Sequence, residues 1–452
     1  MAVPTHEDSG EDYRVQARNW RLVGRGFSEA GSRFDLLSGV ACRANWIVAA
    51  MSASVRQALS AMGAGRLREE SVQQHVAPLF SRVLSRRAFY LANHSLGRPL
   101  DAMSDDIAEA TGLWYSKLGE AWDDWLEERE AFRARVAALI GAGRGDYIVP
   151  KTSAGQGLRT VLNALPGRPR VVSTRGEFDS VDVILKQYAA LGRIVLRWIE
   201  TDAQGDFSVG PLIDAVNDGA DLVVVSQVMF TNGQIVTGLD ALAEACHERG
   251  AKLLVDSYHA VGVIPVDAVQ MGADFVIGGS YKYLRGGPGA GFLYIAPEVL
   301  ESGLRPLDTG WFANSDTFGY RRAELPVLKS GGDAFLESTP PVLTWYQARS
   351  GMEFTLAMGV ARLRAYSLEQ LGALRGYLAD AGVGAVTGGD EGHGAFLAIR
   401  LENAVELPAR LAREGIVCDA RGKWLRLCPD CLTRDEELRC AAKVLGKLLQ
   451  DA

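Results

Sequence analysis

The chain has 452 residues, 48% of them hydrophobic and 23% charged, with a formal net charge of -7. That is the balance of a soluble folded protein, long enough for two or three domains or for one large domain with an appendage. The acidic surplus argues against a nucleic-acid surface, which would cluster Lys and Arg, and no run of about 18 apolar residues offers a membrane span.

Residues 1–88 read as a helical and irregular extension with Gly-rich breaks (GRGFSEAGS, AMGAGR), and the polar, acidic start lacks a signal-peptide core. A long amphipathic helix is predicted over Asp101–Ile140. Short apolar strands then alternate with helices. The strands are RVVST (170–174), RIVLRWI (193–199), LVVVSQVMF (222–230), KLLVDSYHA (252–260), DFVIGGSYK (274–282) and GFLYIA (291–296). Continuously apolar, Val/Ile-rich strands belong to a buried, mostly parallel sheet. Residues 89–335 are therefore expected to form a large α/β domain with helices on both faces. Beyond Pro340-Pro341 the pattern predicts a helix over Thr344–Ala381, strands at 395–401, 416–420 and 424–428, and a last helix over Asp435–Leu449. Residues 336–452 thus read as a smaller α+β domain. The six Cys are few and unevenly spread, which suits reduced thiols in a cytoplasm. The lone pair Cys428–Cys431 lacks the second pair a zinc site needs, so no metal is expected.

In open α/β sheets ligands bind outside the carboxyl ends of the strands. There the sequence places Asp256-Ser-Tyr-His259, Ser280-Tyr-Lys282-Tyr283 and Ser226, while Thr152-Ser153-Ala-Gly155 opens a predicted helix. A lysine in an apolar pocket can carry a Schiff base. A carboxylate under a pyridine nitrogen keeps it protonated, so that the ring acts as an electron sink. Hydroxyls and backbone N–H groups at a helix N-terminus suit a phosphate. Singly, each piece also reads as a helix cap or a solvated strand end. Together, with one predicted helix between Asp256 and Lys282, they suit pyridoxal phosphate.

From about Phe89 to its end the chain resembles kynureninase, in the fold-type-I, class-V group of pyridoxal phosphate enzymes. The resemblance rests on FYLANHSLG (89–97), FTNGQ (230–234), VDSYHAVG (255–262), GADFVIGGSYKYLRGGPG (272–289), TGWFAN (309–314), STPPVL (338–343) and GIVCDARGKWLRLCP (415–429). It implies that Lys282 carries the cofactor, that Asp256 pairs with the pyridine nitrogen and that His259 supports it. It implies a phosphate held by Thr152, Ser153 and Tyr281, with Trp311 and Thr339 reaching in across a homodimer interface. Phe178 would stack on the ring with Ser226 beside it. Arg426 would bind the α-carboxylate of an amino-acid substrate, and Tyr281 would relay protons.

Three positions depart from that family. Phe178-Asp179-Ser180-Val181 stands where it has Phe-Pro-(Ser/Thr)-Asp, so the second acid near the ring is missing or displaced to Asp179 or Asp182. Thr339 replaces an Asn, and GLWYSKLGEAWDDWLEE (112–128) holds no counterpart of the His that faces the aryl group. The expected activity is hydrolytic Cβ–Cγ cleavage of a γ-keto L-amino acid to release alanine. Transamination, β-elimination, desulfuration or desulfination on the same cofactor is the alternative.

Overall fold

The computed structural model describes residues 53–202, 205–320 and 322–451. Two helices, Met103–Lys117 (α1) and Ala121–Leu139 (α2), precede a central sheet. The expected single helix is broken at Leu118, whose φ of 48° no continuing helix tolerates.

The sheet strands are Ile148–Lys151 (β1), Arg170–Thr174 (β2), Val195–Ile199 (β3), Leu222–Ser226 (β4), Lys252–Asp256 (β5), Phe275–Gly279 (β6) and Gly291–Ile295 (β7). Their order is β1-β7-β6-β5-β4-β2-β3. β3, β2, β4, β5 and β6 run parallel, and β7 is antiparallel to both its neighbours. Every residue of β4, β6 and β7 is buried, as apolar strands covered on both faces require. Ala154–Ala164 (α3), Asp179–Ala190 (α4), Gly210–Asn217 (α5) and Leu239–Glu248 (α6) supply the layers. The expected helix between β5 and β6 is not there: residues 257–274 cross over in turns. Val263, Ile264 and Val266 are buried while Pro265, Asp267 and Val269 are exposed, a spacing with no helical period, and Gly272 turns the chain at φ 68°.

Gly359, at φ 82°, divides the next expected helix into Leu343–Met358 (α7) and Val360–Asp380 (α8). Trp345, Ala348 and Met352 of α7 pack into the core of the large sheet, whereas Leu371, Leu374 and Leu378 of α8 pack into a second core. That second core covers an antiparallel sheet of Val386–Thr387 (β8), Leu397–Arg400 (β9), Asp419–Arg421 (β10) and Trp424–Leu427 (β11), ordered β10-β11-β9-β8. Phe89 and Tyr90 pair in parallel with Ile416 and Val417, so this early segment rests on the C-terminal sheet and not on the large one. Residues 55–84 pack against Phe354, Met358 and Tyr366 in a further cluster.

Candidate active site

The site lies where β4, β5 and β6 end together. Register pairs Ser226 with Asp256, and Asp256 with Ile277, which brings the end of each strand to one level. Lys282 follows β6 by three residues and returns over the sheet. A cavity of about 270 Å³ opens there, lined by Ser153, Phe178, Ser226, Asp256, His259, Tyr281 and Lys282 among others. Seven of the residues anticipated from sequence thus meet in one place.

Lys282 is 5% exposed, and its Nζ lies 2.6 Å from His259 Nε2. The rings of Tyr258, Phe178 and Tyr281 stand 5.2, 5.4 and 5.6 Å from that nitrogen. Burial pushes the amine pKa down, and Asp256 only partly opposes it. Burial likewise pushes the Asp256 carboxyl up, against a 2.9 Å hydrogen bond donated by the Tyr258 amide to Oδ1. His259, also buried, is held well below its usual pKa, so a neutral ring faces the lysine, with a buried Nδ1 that has no partner.

A family model described as Aminotransferase class-V matches residues 97–405, more than half of the chain. The chain belongs to the class-V aminotransferase family. One relative is the uncharacterized aminotransferase YcbU of Bacillus subtilis (strain 168), 28% identical over 359 residues that span 76% of this chain and 93% of that protein. Another is the kynureninase of Pseudomonas fluorescens, 29% identical over 310 residues, 66% of this chain and 72% of that one. In fold the chain is similar to a cysteine desulfurase from Thermococcus onnurineus NA1, with a TM-score of 0.72, 19% identity and coverage of 86% of this chain and 100% of that chain.

The cofactor of this class-V enzyme is pyridoxal phosphate. The residues fit it. A buried carboxylate whose pKa is raised lacks a cationic N–H, which the pyridinium would supply. A buried amine with a lowered pKa is poised for a carbonyl. Ser153 caps α3, accepting from the Gln156 amide at 3.2 Å, and Gly155 lets α3 pack closely on α4, since a Cβ there would come within 3.0 Å of Ile184.

Four anticipated residues do not line this cavity. Thr152 turns away: its N–H and hydroxyl both donate to Gln156 Oε1, at 2.7 and 3.0 Å. Thr339 shares a separate cavity of about 190 Å³ with Thr152 and Gln156. Trp311 donates its Nε1–H to the Thr317 carbonyl and stacks on Tyr320 at 6.2 Å. Arg426 is 2% exposed behind Phe230, donating to that residue's carbonyl and to both Asp419 oxygens, at 2.8 and 2.6 Å. Asp419 in turn accepts from Ser95 and lies 2.7 Å from His94 Nε2. Burial would raise its pKa, but His94 and Arg426 hold the carboxyl far below the usual range.

Neither Asp179 nor Asp182 supplies a second acid. Asp179 is exposed, and Asp182 accepts from Lys186 at 2.6 Å on the outer face of α4. Glu177 is the acid that sequence reading missed. It is buried, accepts from the Ser226 hydroxyl and the Thr174 hydroxyl, both at 2.6 Å, and burial pushes its carboxyl up to about 7. The signal for it lay in its place directly before Phe178, at the end of β2.

Proposed function

We propose that this class-V enzyme is a kynureninase-like hydrolase that cleaves the Cβ–Cγ bond of a γ-keto L-amino acid and releases alanine. The observation that carries the reading is that Lys282 and Tyr281, adjacent in sequence, open on the same cavity. Transamination needs one group to move a proton at the α-carbon. Hydrolysis needs a second, at the γ-carbonyl. Burial keeps the Tyr281 phenol protonated, so it can serve as that acid.

When bound, pyridoxal phosphate supplies the electron sink. Asp256 would hold its ring nitrogen, and His259 and Phe178 would flank it in the cavity they line. Lys282 would take the proton from the α-carbon and return it there before alanine leaves. Tyr281 donates to the γ-oxygen as water adds to the γ-carbon. The Cβ–Cγ bond then breaks, the oxygen-bearing fragment leaves as a carboxylic acid, and Cβ gains a proton to give alanine. Arg426, held by Asp419 through Nε and Nη2, is the group that would pair with the substrate carboxylate. The active unit is a homodimer, in which Trp311 and Thr339 complete the partner's site, and its five described unpaired cysteines suit the cytoplasm.

Transamination is the second reading, favoured by the Bacillus subtilis relative, whose match spans 93% of that protein. Desulfuration is disfavoured. Cys418, Cys428 and Cys431 are buried, and burial pushes their thiols up to about 12, 12 and 11. Incubation with L-kynurenine and 3-hydroxykynurenine, assayed for alanine without any 2-oxo acid, tests the proposal. Turnover that depends on an added 2-oxo acid and yields no alanine from the substrate would favour transamination instead.

A further inference from the structure

Tyr258 has no assigned role, and the packing around it gives it one. In β6, Ile277 and Gly279 point to the same face, two residues apart. That face is the one α3 covers, because a Cβ on Gly157 would press within 2.7 Å of Ile277 Cγ2. Across the ladder Gly279 pairs with Gly291, and Gly291 pairs with Lys151. A Cβ on Gly291 would come within 3.1 Å of the Ser153 amide nitrogen. Two paired glycines therefore form a bare floor directly beside the mouth of α3. A Cβ on Gly279 would collide with the Tyr258 hydroxyl. The phenol oxygen thus stands on that floor, on the α3 face, where a short side chain at 279 would otherwise reach.

We propose that the Tyr258 hydroxyl is a ligand of the cofactor phosphate, working with the mouth of α3 and replacing Thr152, whose own hydroxyl is committed to Gln156. The inference rests on the cofactor and on this chain's residues, not on which reaction the enzyme performs. Three further observations bear on it. Tyr258 lines the same cavity as Ser153, Gly155 and Tyr281. Its ring leans on that of Tyr281 at 5.1 Å, which fixes the direction of the hydroxyl. Burial raises the phenol pKa well above its usual value, so the group stays a donor at neutral pH. Its backbone is pinned as well, through the amide that donates to Asp256. One residue then ties the nitrogen end of the cofactor to its phosphate end.

The test compares pyridoxal phosphate with pyridoxal, which lacks the phosphate. Apoprotein of the wild type and of Tyr258→Phe is titrated with each, following cofactor absorption and quenching of intrinsic fluorescence. A hydrogen bond to a charged group corresponds to about ten- to hundredfold in affinity. The Phe variant should lose that much affinity for pyridoxal phosphate and keep its affinity for pyridoxal. In a Tyr258→Ala background, Gly279→Ser should restore part of the preference for the phosphorylated form, because its hydroxyl would occupy the vacated space. An unchanged ratio of the two affinities in Tyr258→Phe, or equal weakening of both, would overturn the proposal.

Discussion

Lys282 is held where its charge is disfavoured, which is the setting a nucleophilic amine needs. An amine at 5% exposure, with a neutral imidazole at 2.6 Å, loses the water that would keep it protonated. Lys282→Ala should lower turnover by about 10²–10⁴-fold yet leave the cofactor bound through its phosphate. Borohydride should then tether the cofactor to a peptide of the wild type and to none of the variant, as read by mass spectrometry. Glu177 makes a different prediction. Its carboxyl rises from 4.5 to about 7 on folding, so the folded apoprotein keeps a proton that the unfolded chain gives up. The resulting stability is fully present below 4.5 and is lost as pH rises through 7. Urea midpoints of the apoprotein should fall between pH ~5 and ~8, and the fall should be shallower in Glu177→Gln. Lys282 and Asp256 are legible in the sequence because each follows an apolar strand at the edge that faces ligands. Glu177 is not, because a single acid between Gly176 and Phe178 reads as a surface turn until β4 is seen to lie against it.

Between elements, one joint is a buried ionic cluster. Asp430, after β11, accepts from Arg285 at 2.6 Å and from Arg98, and the three side chains are only 6–7% exposed. Burial would raise the Asp430 pKa, but the two guanidinium groups hold it down at about 2. Asp430→Ala would leave two buried cations without their anion, a loss of about 3–5 kcal/mol. Chemical denaturation should register it, and a change below about 1 kcal/mol would mean that water replaces the carboxylate. The strands of the large sheet are legible because each is a short, unbroken apolar run. The helix breaks at Leu118 and Gly359 are less so, since apolar spacing continues through both and only the backbone turn decides. The turns of residues 257–274 give no sequence signal, because their apolar residues serve the core without any period.

For the whole molecule, none of the residues 112–128 lines the cavity of its own chain, and Thr339 faces another cavity. Neither position expected to read a ring hydroxyl therefore offers a polar group to this cavity. A site lacking such partners discriminates weakly and gains nothing from an added hydroxyl. Kynurenine should accordingly have a higher kcat/KM than 3-hydroxykynurenine, and the reverse order would mean that a neighbouring subunit supplies the missing donors. Substrate choice is the part least legible in sequence, because it depends on which side chains the fold brings to the cavity wall, and residues 112–128 and Thr339 lie elsewhere.

The early segment that rests on the C-terminal sheet has a mechanical consequence. Phe89 and Leu91 donate to the carbonyls of Gly415 and Val417, at 2.9 and 2.8 Å, beside the sheet that carries Arg426. A few residues on, Gly97 donates to the Tyr281 carbonyl at 2.8 Å, and any Cβ on it would strike the Lys282 carbonyl. Residues 89–97 thus form a rod between the two sheets: one end is hydrogen-bonded beside the sheet that carries Arg426, and the other bears on the backbone of Lys282. A γ-keto acid without an α-amino group should therefore shift the cofactor's absorption although it cannot be turned over. Lengthening the rod by one inserted glycine after Ala92 should abolish that remote signal while the acid still binds.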